Sequence, residues 1–326
     1  MKKLFIIFSM FCVLSFSLVF AHVPFETGEG GSIENATIIT EPTKSWVVYE
    51  ELNNENQVKY YLLGMNKGER IKLDLFTSVK SEFKPNIIVT GPSIKSTDVL
   101  PEGIEIPDGR GFILIESSLG EAEYEPFTPA SYYDLSRANI PITESGTYYV
   151  IVFDFENEGK YGLAIGYVEK FSFSEWIGIP ISVTRIRLWE GQNLFVVFAP
   201  LAIAVIVGLA ILYFNKKMKN NLKTLFGFLV CLAGLLYIGS GISLIYQMIN
   251  AFTKAFSGSA FITIVFASIP IVLGIVLLGY SSKEQPKKIE TKIPLLLLSG
   301  LGLIFWAGII LGPILVFISA LLPSKK

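Results

Sequence analysis

Side chains that commonly carry catalysis are few in this 326-residue chain, which has one histidine and two cysteines. The histidine is His22, and Cys12 and Cys231 lie in separate apolar stretches. A Ser-His-Asp or Cys-His site needs a histidine beside its nucleophile, and a zinc cluster needs several Cys or His ligands. We therefore expect a protein that is not an enzyme and has no catalytic residues.

His22 offers a different chemistry, because removal of a signal peptide after Ala21 would make it the N-terminal residue. A free amine and an imidazole nitrogen can together chelate Cu(II). Copper is therefore one predicted cofactor, in a site that Glu26, Glu29 or another subunit would have to complete, since no second histidine exists. The alternative is an incidental residue at a frayed terminus.

Residues 116–134 interleave carboxylates with aromatic rings. Aromatic faces suit sugar stacking or peptide docking, and carboxylate oxygens suit Ca²⁺. The segment therefore predicts a binding surface for a glycan, a peptide or calcium; the alternative is a long loop whose rings fold onto the domain edge. The predicted ligand-binding residues are Glu121, Glu123, Tyr124, Glu125, Phe127, Tyr132, Tyr133 and Asp134. Asn35-Ala36-Thr37 additionally predicts glycosylation at Asn35.

Charge separates the chain into two halves. Residues 22–193 carry 14 Lys and Arg against 26 Asp and Glu, a net charge of −12, whereas residues 194–326 carry 11 Lys against 2 Glu, a net charge of +9. The acidic half disfavours nucleic acid as a partner, because nucleic acid binds basic surfaces. Two of these many carboxylates could act as the catalytic pair of a glycoside hydrolase. A surface hydrolase therefore stays open as an alternative function.

The first 21 residues read as a signal peptide, since Lys2 and Lys3 precede an apolar run that ends in Val19-Phe20-Ala21. An uncleaved anchor is the alternative, and both place the following residues outside the cytoplasm.

Residues 22–170 show the patterns of short strands and turns. Ile71, Leu73 and Leu75 alternate with charged residues, which predicts a strand with one buried face. We predict an extracytoplasmic antiparallel β-sandwich. Its predicted strands are Val58–Leu63, Arg70–Phe76, Asn86–Thr90, Phe112–Ile115, Thr147–Phe153 and Tyr161–Ile165.

The second half predicts a membrane part with four transmembrane helices, because each apolar run reaches the roughly 20 residues that span hydrocarbon. The runs are 194–214, 224–252, 260–280 and 293–322. Loops 215–223 and 281–292 hold four lysines each and should be cytoplasmic, in a multi-pass protein of the cell membrane. The predicted partners are the lipid bilayer and, through glycine-rich spans, other membrane proteins or a second copy.

Two segments of the membrane part allow alternatives. Residues 171–193 hold two tryptophans and two arginines, which predicts a segment at the membrane surface, with a last strand or a linker helix as the alternative. The run 293–322 contains Gly312-Pro313, so we expect one kinked span followed by a tail at 323–326; a re-entrant hairpin is the alternative.

The β-rich region resembles the pre-peptidase C-terminal domain of bacteria and archaea. That family has a "Y-x-F-x-L-x-x-G" strand pair and a final "G-x-Y-Y-x-x-V … G-x-Y-x-L" hairpin. The matching positions here are Tyr60, Tyr61, Gly68, Gly146, Tyr148, Tyr149, Gly159, Tyr161 and Leu163. The resemblance implies a jelly-roll-like sandwich that serves as a binding or accessory module.

These observations predict a non-enzymatic, membrane-anchored surface protein whose sandwich binds an extracytoplasmic ligand. An accessory subunit of a membrane transport or export complex is the alternative. The four apolar runs contain no Asp, Glu, Lys, Arg or His, which disfavours an active pump.

Overall fold

A computed structural model describes residues 22–53, 57–96, 98–216, 218–282 and 289–323, so the predicted signal peptide lies outside the described residues. The chain divides into two compact units. The first comprises the described residues up to Leu75, Pro85–Ser117 and Ser136–Phe171. The second comprises Phe76–Lys84, Ser118–Leu135 and the described residues from Ser172 onward. Two segments of the β-rich region therefore belong with the helices.

Two sheets account for the strands in the described part of the chain. Their orders are β1-β3-β11-β5-β9-β8 and β2-β4-β10-β6-β7. The strands are β1 (Val23–Pro24), β2 (Thr37–Ile39), β3 (Trp46–Leu52), β4 (Val58–Met65), β5 (Arg70–Ser78), β6 (Asn86–Gly91), β7 (Gly111–Ile115), β8 (Ala122–Glu125), β9 (Ala130–Pro141), β10 (Gly146–Phe153) and β11 (Gly159–Ile165).

Both sheets are mixed, which corrects the purely antiparallel arrangement expected from the sequence. Strand β10 is antiparallel to β4 and β6, but β1 runs parallel to β3 and β2 runs parallel to β4. A tight hairpin forces neighbours to be antiparallel. Each parallel pair is instead separated in sequence by a strand of the other sheet, so no hairpin fixes its direction.

Buried tyrosines join the two sheets of the first unit. The hydroxyls of Tyr61 on β4 and Tyr161 on β11 lie 2.6 Å apart, and both side chains are fully buried. Burial raises the pKa of both phenols, so the pair stays neutral and hydrogen-bonded. Tyr60 points to the other face, where it packs with Ile88 and Ile104. The second sheet is therefore covered on both faces.

Six α-helices follow the sheets in the described part of the chain. They are α1 (Phe173–Trp189), α2 (Leu194–Phe214), α3 (Leu225–Phe252), α4 (Ala260–Ser281), α5 (Ile289–Ile304) and α6 (Leu311–Leu321), with a short 3₁₀ helix at Lys219–Lys223. Helices α2, α3 and α4 are long and apolar enough to cross a membrane. Helices α3 and α4 approach closely at Gly234, since a Cβ added there would lie 3.0 Å from the Gly274 carbonyl oxygen.

The fourth predicted span, 293–322, is interrupted in the structure. Helix α5 ends at Ile304 and α6 begins at Leu311, with positive φ angles between them at Trp306, Gly308 and Ile309. The break therefore precedes Gly312-Pro313, where the sequence suggested a kink. Pro313 lies in the first turn of α6, where a backbone N–H has no partner within the helix, so proline is tolerated there.

Candidate functional site

The segment predicted to bind ligands folds as a hairpin of β8 and the start of β9 within the second unit. The register pairs Tyr124 with Ser131 and Glu123 with Tyr132. Because paired residues share a face and successive residues alternate, Tyr124 and Ser131 lie on one face and Glu123 and Tyr132 on the other. The expected long loop over 116–134 is thus a strand pair, with the turn at residues 126–129.

One face of the hairpin docks on the end of α3 and the start of α4. Tyr124 is buried, its hydroxyl lies 2.6 Å from Oγ1 of Thr263, and its ring lies 5.2 Å from that of Phe252. The Thr263 hydroxyl donates to the Pro126 carbonyl at 2.6 Å, so it accepts from Tyr124. The Ser131 hydroxyl donates to the Ala251 carbonyl at 2.8 Å. These contacts attach both strands to the helices.

The hairpin turn adds an aromatic contact and a perturbed carboxylate. The ring of Phe127 lies edge-on to Phe266, with centroids 5.4 Å apart. The backbone N–H of Phe127 donates to the Glu125 carboxylate at 2.9 Å. Desolvation raises the pKa of Glu125 to about 7, against the lowering effect of this bond, of the Thr128 N–H and of the Arg187 charge.

The other face of the hairpin meets the C-terminal end of α1. The Tyr132 hydroxyl donates to Oε1 of Glu190 at 2.6 Å, and Nη1 of Arg187 donates to Oε2 of Glu190 at 2.9 Å. Arg187 is 3% exposed and Glu190 is 8% exposed. Arg187 was expected to reach the lipid headgroups, but its charge is instead neutralised inside the protein. Removing either partner of such a buried ion pair strongly destabilises a protein, because the other charge is left buried and uncompensated.

Amides and aromatic rings extend this polar cluster. Gln192 and Gln247 exchange two side-chain hydrogen bonds, of 3.0 and 2.9 Å, and Gln192 also donates to Glu190 at 3.3 Å. The rings of Phe76 and Tyr132 lie 4.9 Å apart, and each lies 6.2 Å from Trp189. The cluster thus ties the hairpin to α1 and α1 to α3.

The eight predicted binding residues therefore have different environments. Tyr124, Phe127 and Tyr132 contact helix residues, and Glu125 is desolvated. Glu121 and Glu123 are exposed, and Tyr133 and Asp134 are partly buried. Thr263, Glu190 and the Gln192–Gln247 pair were not predicted as site residues from the sequence. Gln247 was the available signal, because it is one of two side-chain amides, with Asn250, in a long and mainly apolar helix.

His22 and Asn35 lie in the first unit. Nδ1 of His22 lies 2.6 Å from Oγ of Ser45. Desolvation of the ring and then the charge of Lys72 lower the pKa of His22, although the residue as a whole remains exposed. Nδ1 is the ring nitrogen closest to the backbone, so a chelate with the amine would compete with Ser45. Asn35 is exposed in a turn, and its glycosylation stays a prediction.

The part of the chain that the structure describes contains no preformed cluster of metal ligands. Among residues 22–53, 57–96, 98–216, 218–282 and 289–323, no three His, Cys, Asp or Glu side chains are grouped to hold a metal ion. Copper at His22 and calcium near the hairpin stay predictions.

Comparisons with known proteins add little. No family model matches the chain, and no curated protein matches it. A solved structure, the Clostridium perfringens CspB protease, is similar at 18% identity with a TM-score of 0.23. The match covers 47% of this chain and 30% of that one, so this chain spans less than a third of its length.

Proposed function

We propose that this chain is a non-enzymatic, membrane-anchored protein whose β-sandwich lies outside the cytoplasm and binds a ligand there. The supporting observation is that two β-sheets precede, in the same chain, three helices that are long and apolar enough to cross a membrane. The signal peptide and the lysine-rich loops 215–223 and 281–292 support the orientation. The sandwich would be jelly-roll-like, as in the pre-peptidase C-terminal domain.

The hairpin narrows the chemistry of the ligand. Tyr124 and Phe127 already pack against Phe252 and Phe266, which leaves less of their ring surface for stacking a sugar. Glu121 and Glu123 are exposed on a strongly acidic half of the chain. These features favour a ligand that carries positive charge, either a basic peptide or Ca²⁺, over a glycan.

Binding measurements on the full-length protein in detergent test this proposal. We expect saturable binding of a lysine-rich peptide or of Ca²⁺, and weaker binding after the double substitution Glu121→Gln and Glu123→Gln. Glu156→Gln is the matched control, because it removes an equally exposed carboxylate from another loop. If the peptide, Ca²⁺, Cu²⁺ and a glycan library all fail to bind, the proposed function is wrong.

The interrupted helix favours a second candidate, an accessory subunit of a membrane transport or export complex. Helices broken within the membrane part are typical of transporters, and here α5 and α6 are separated by non-helical residues. Purification in a mild detergent should then retain partner membrane proteins in fixed stoichiometry. Recovery of this chain alone would remove the candidate.

A further inference from the structure

The C-terminal segment reverses direction between α5 and α6. The Ser299 hydroxyl donates to the Pro313 carbonyl at 2.9 Å, although the two residues are 14 apart in sequence. In one continuous helix they would be about 21 Å apart. The chain therefore folds back, with Trp306 at the midpoint, and α5 and α6 form an antiparallel pair.

Both helices are too short to cross a bilayer alone. Helix α5 has 16 residues and α6 has 11. At about 1.5 Å per residue they measure about 24 and 16 Å, less than the roughly 30 Å of hydrocarbon. The turn between them contacts the middle of α3, since the N–H of Gly308 donates to Oγ of Ser240, the sixteenth of 28 residues in α3. The α5–α6 pair therefore extends about halfway along α3.

The turn is built to lie in an apolar environment. Non-helical backbone is tolerated at membrane depth only where its polar groups find partners in the protein. Here the Ile304 carbonyl accepts the Trp176 indole N–H at 3.1 Å, and the Trp306 indole N–H donates to the Trp176 carbonyl at 2.8 Å. The Ala307 N–H donates to the Gly302 carbonyl at 2.8 Å. The two indole rings also pack, with centroids 4.6 Å apart.

The outer surface of the pair is apolar. Its inner surface packs on α3, where the Tyr237 hydroxyl donates to the Leu298 carbonyl at 3.1 Å. The exposed apolar side chains of α5 and α6 are Ile289, Ile293, Leu297, Ile304, Leu311, Ile314, Phe317, Ile318 and Leu321. This surface lies beside helices that can cross a membrane. Its apolar character suits contact with the acyl chains of lipid.

We propose that α5 and α6 form a re-entrant hairpin that inserts into a single leaflet of the bilayer, on the side of the lysine-rich loops, so that the end of α6 lies on that side. Lysines occur in the sequence before α5 and again at positions 325 and 326. A single span would carry the last two across the membrane; the hairpin keeps all of them on one side, as the distribution of positive charge in membrane proteins favours. This inference rests on the proposed membrane location.

Cysteine labelling in sealed vesicles and intact cells tests the inference. In a background with Cys12→Ser and Cys231→Ser, single cysteines are placed at Pro323, Ser282 and Gly258 and treated with a membrane-impermeant maleimide. Ser282 and Gly258 flank the two ends of α4 and provide the reference for each side. A cysteine appended after residue 326 repeats the measurement without altering the helix end.

We expect Pro323→Cys and the appended cysteine to label from the same side as Ser282→Cys and from the side opposite to Gly258→Cys. Labelling from the Gly258 side would mean that residues 289–323 cross the membrane, which overturns the hairpin and leaves the proposed function intact. Labelling of Ser282→Cys and Gly258→Cys from one side would show that α4 does not cross, which overturns the hairpin's assignment to the side of the lysine-rich loops.

Discussion

Thr263→Val is the substitution that tests most directly how the β8–β9 hairpin is attached to the helices. The Thr263 hydroxyl accepts from Tyr124 and donates to the Pro126 carbonyl, both at 2.6 Å. Valine has nearly the same shape but leaves a buried phenol and a carbonyl without their partner. Each unsatisfied group costs about 1–3 kcal/mol. We therefore expect the free energy of hairpin opening to fall by about 2–6 kcal/mol.

Hydrogen exchange of residues 118–135 in the full-length protein measures that free energy of opening. Tyr124→Phe removes only one of the two bonds and should cost about 1 kcal/mol. In the double variant no phenol is left unpaired, so its cost should be smaller than the sum by about 1 kcal/mol. Thr253→Val is the control, since Thr253 is exposed and its hydroxyl donates to the Asn250 carbonyl within its own helix end. Equal exchange in Thr263→Val and wild type would refute the docking, and strict additivity would refute the direct bond.

Three further predictions concern pH, packing and the helix break. The pKa of Glu125 rises from its ordinary 4.5 to about 7 in the folded protein, so docking of the hairpin should weaken as pH rises through this range, by about 1–2 kcal/mol after solvent screening. Glu125→Gln should abolish that dependence in the exchange measurement; a persistent slope would assign it to another group. Gly302→Ala should lower the melting temperature in detergent because the added Cβ would overlap the Tyr237 hydroxyl, whereas Gly300→Ala, with open space, should not; equal effects would contradict the packing. Trp306→Phe should lower the free energy of unfolding by about 1 kcal/mol through the lost indole hydrogen bond, and an unchanged value would show that this bond contributes nothing.

Local sequence patterns predicted much of the fold. The alternation at Ile71, Leu73 and Leu75 marks a strand because side chains along a strand point to opposite faces, and β5 covers those residues. The long apolar runs of α2, α3 and α4 mark helices because only a helix satisfies every backbone group of such a run in lipid. The strands β8 and β9 were missed, since carboxylates and prolines at 116–134 resemble a loop when no partner surface is known.

Partners distant in sequence decided the rest. Arg187 resembles a lipid-facing residue until it pairs with Glu190, whose carboxylate is fixed by a hydrogen bond from Tyr132, 58 residues away in sequence. Tyr124 resembles an exposed binding aromatic until Thr263, 139 residues away in sequence, accepts a hydrogen bond from its hydroxyl.

The sequence by itself determined the acidic β-rich half, the apolar helical half and the length of each long helix, because these depend on composition and on contacts between near neighbours. Only the tertiary structure decided that the hairpin packs on helices and that the last apolar run folds back at Trp306. An apolar run of 30 residues is compatible with one kinked span or with two short helices. The hydrogen bonds with Trp176 and Ser240 select the second arrangement, since they satisfy backbone groups of the turn from elsewhere in the chain, and the Tyr237 hydroxyl bonds α5 itself.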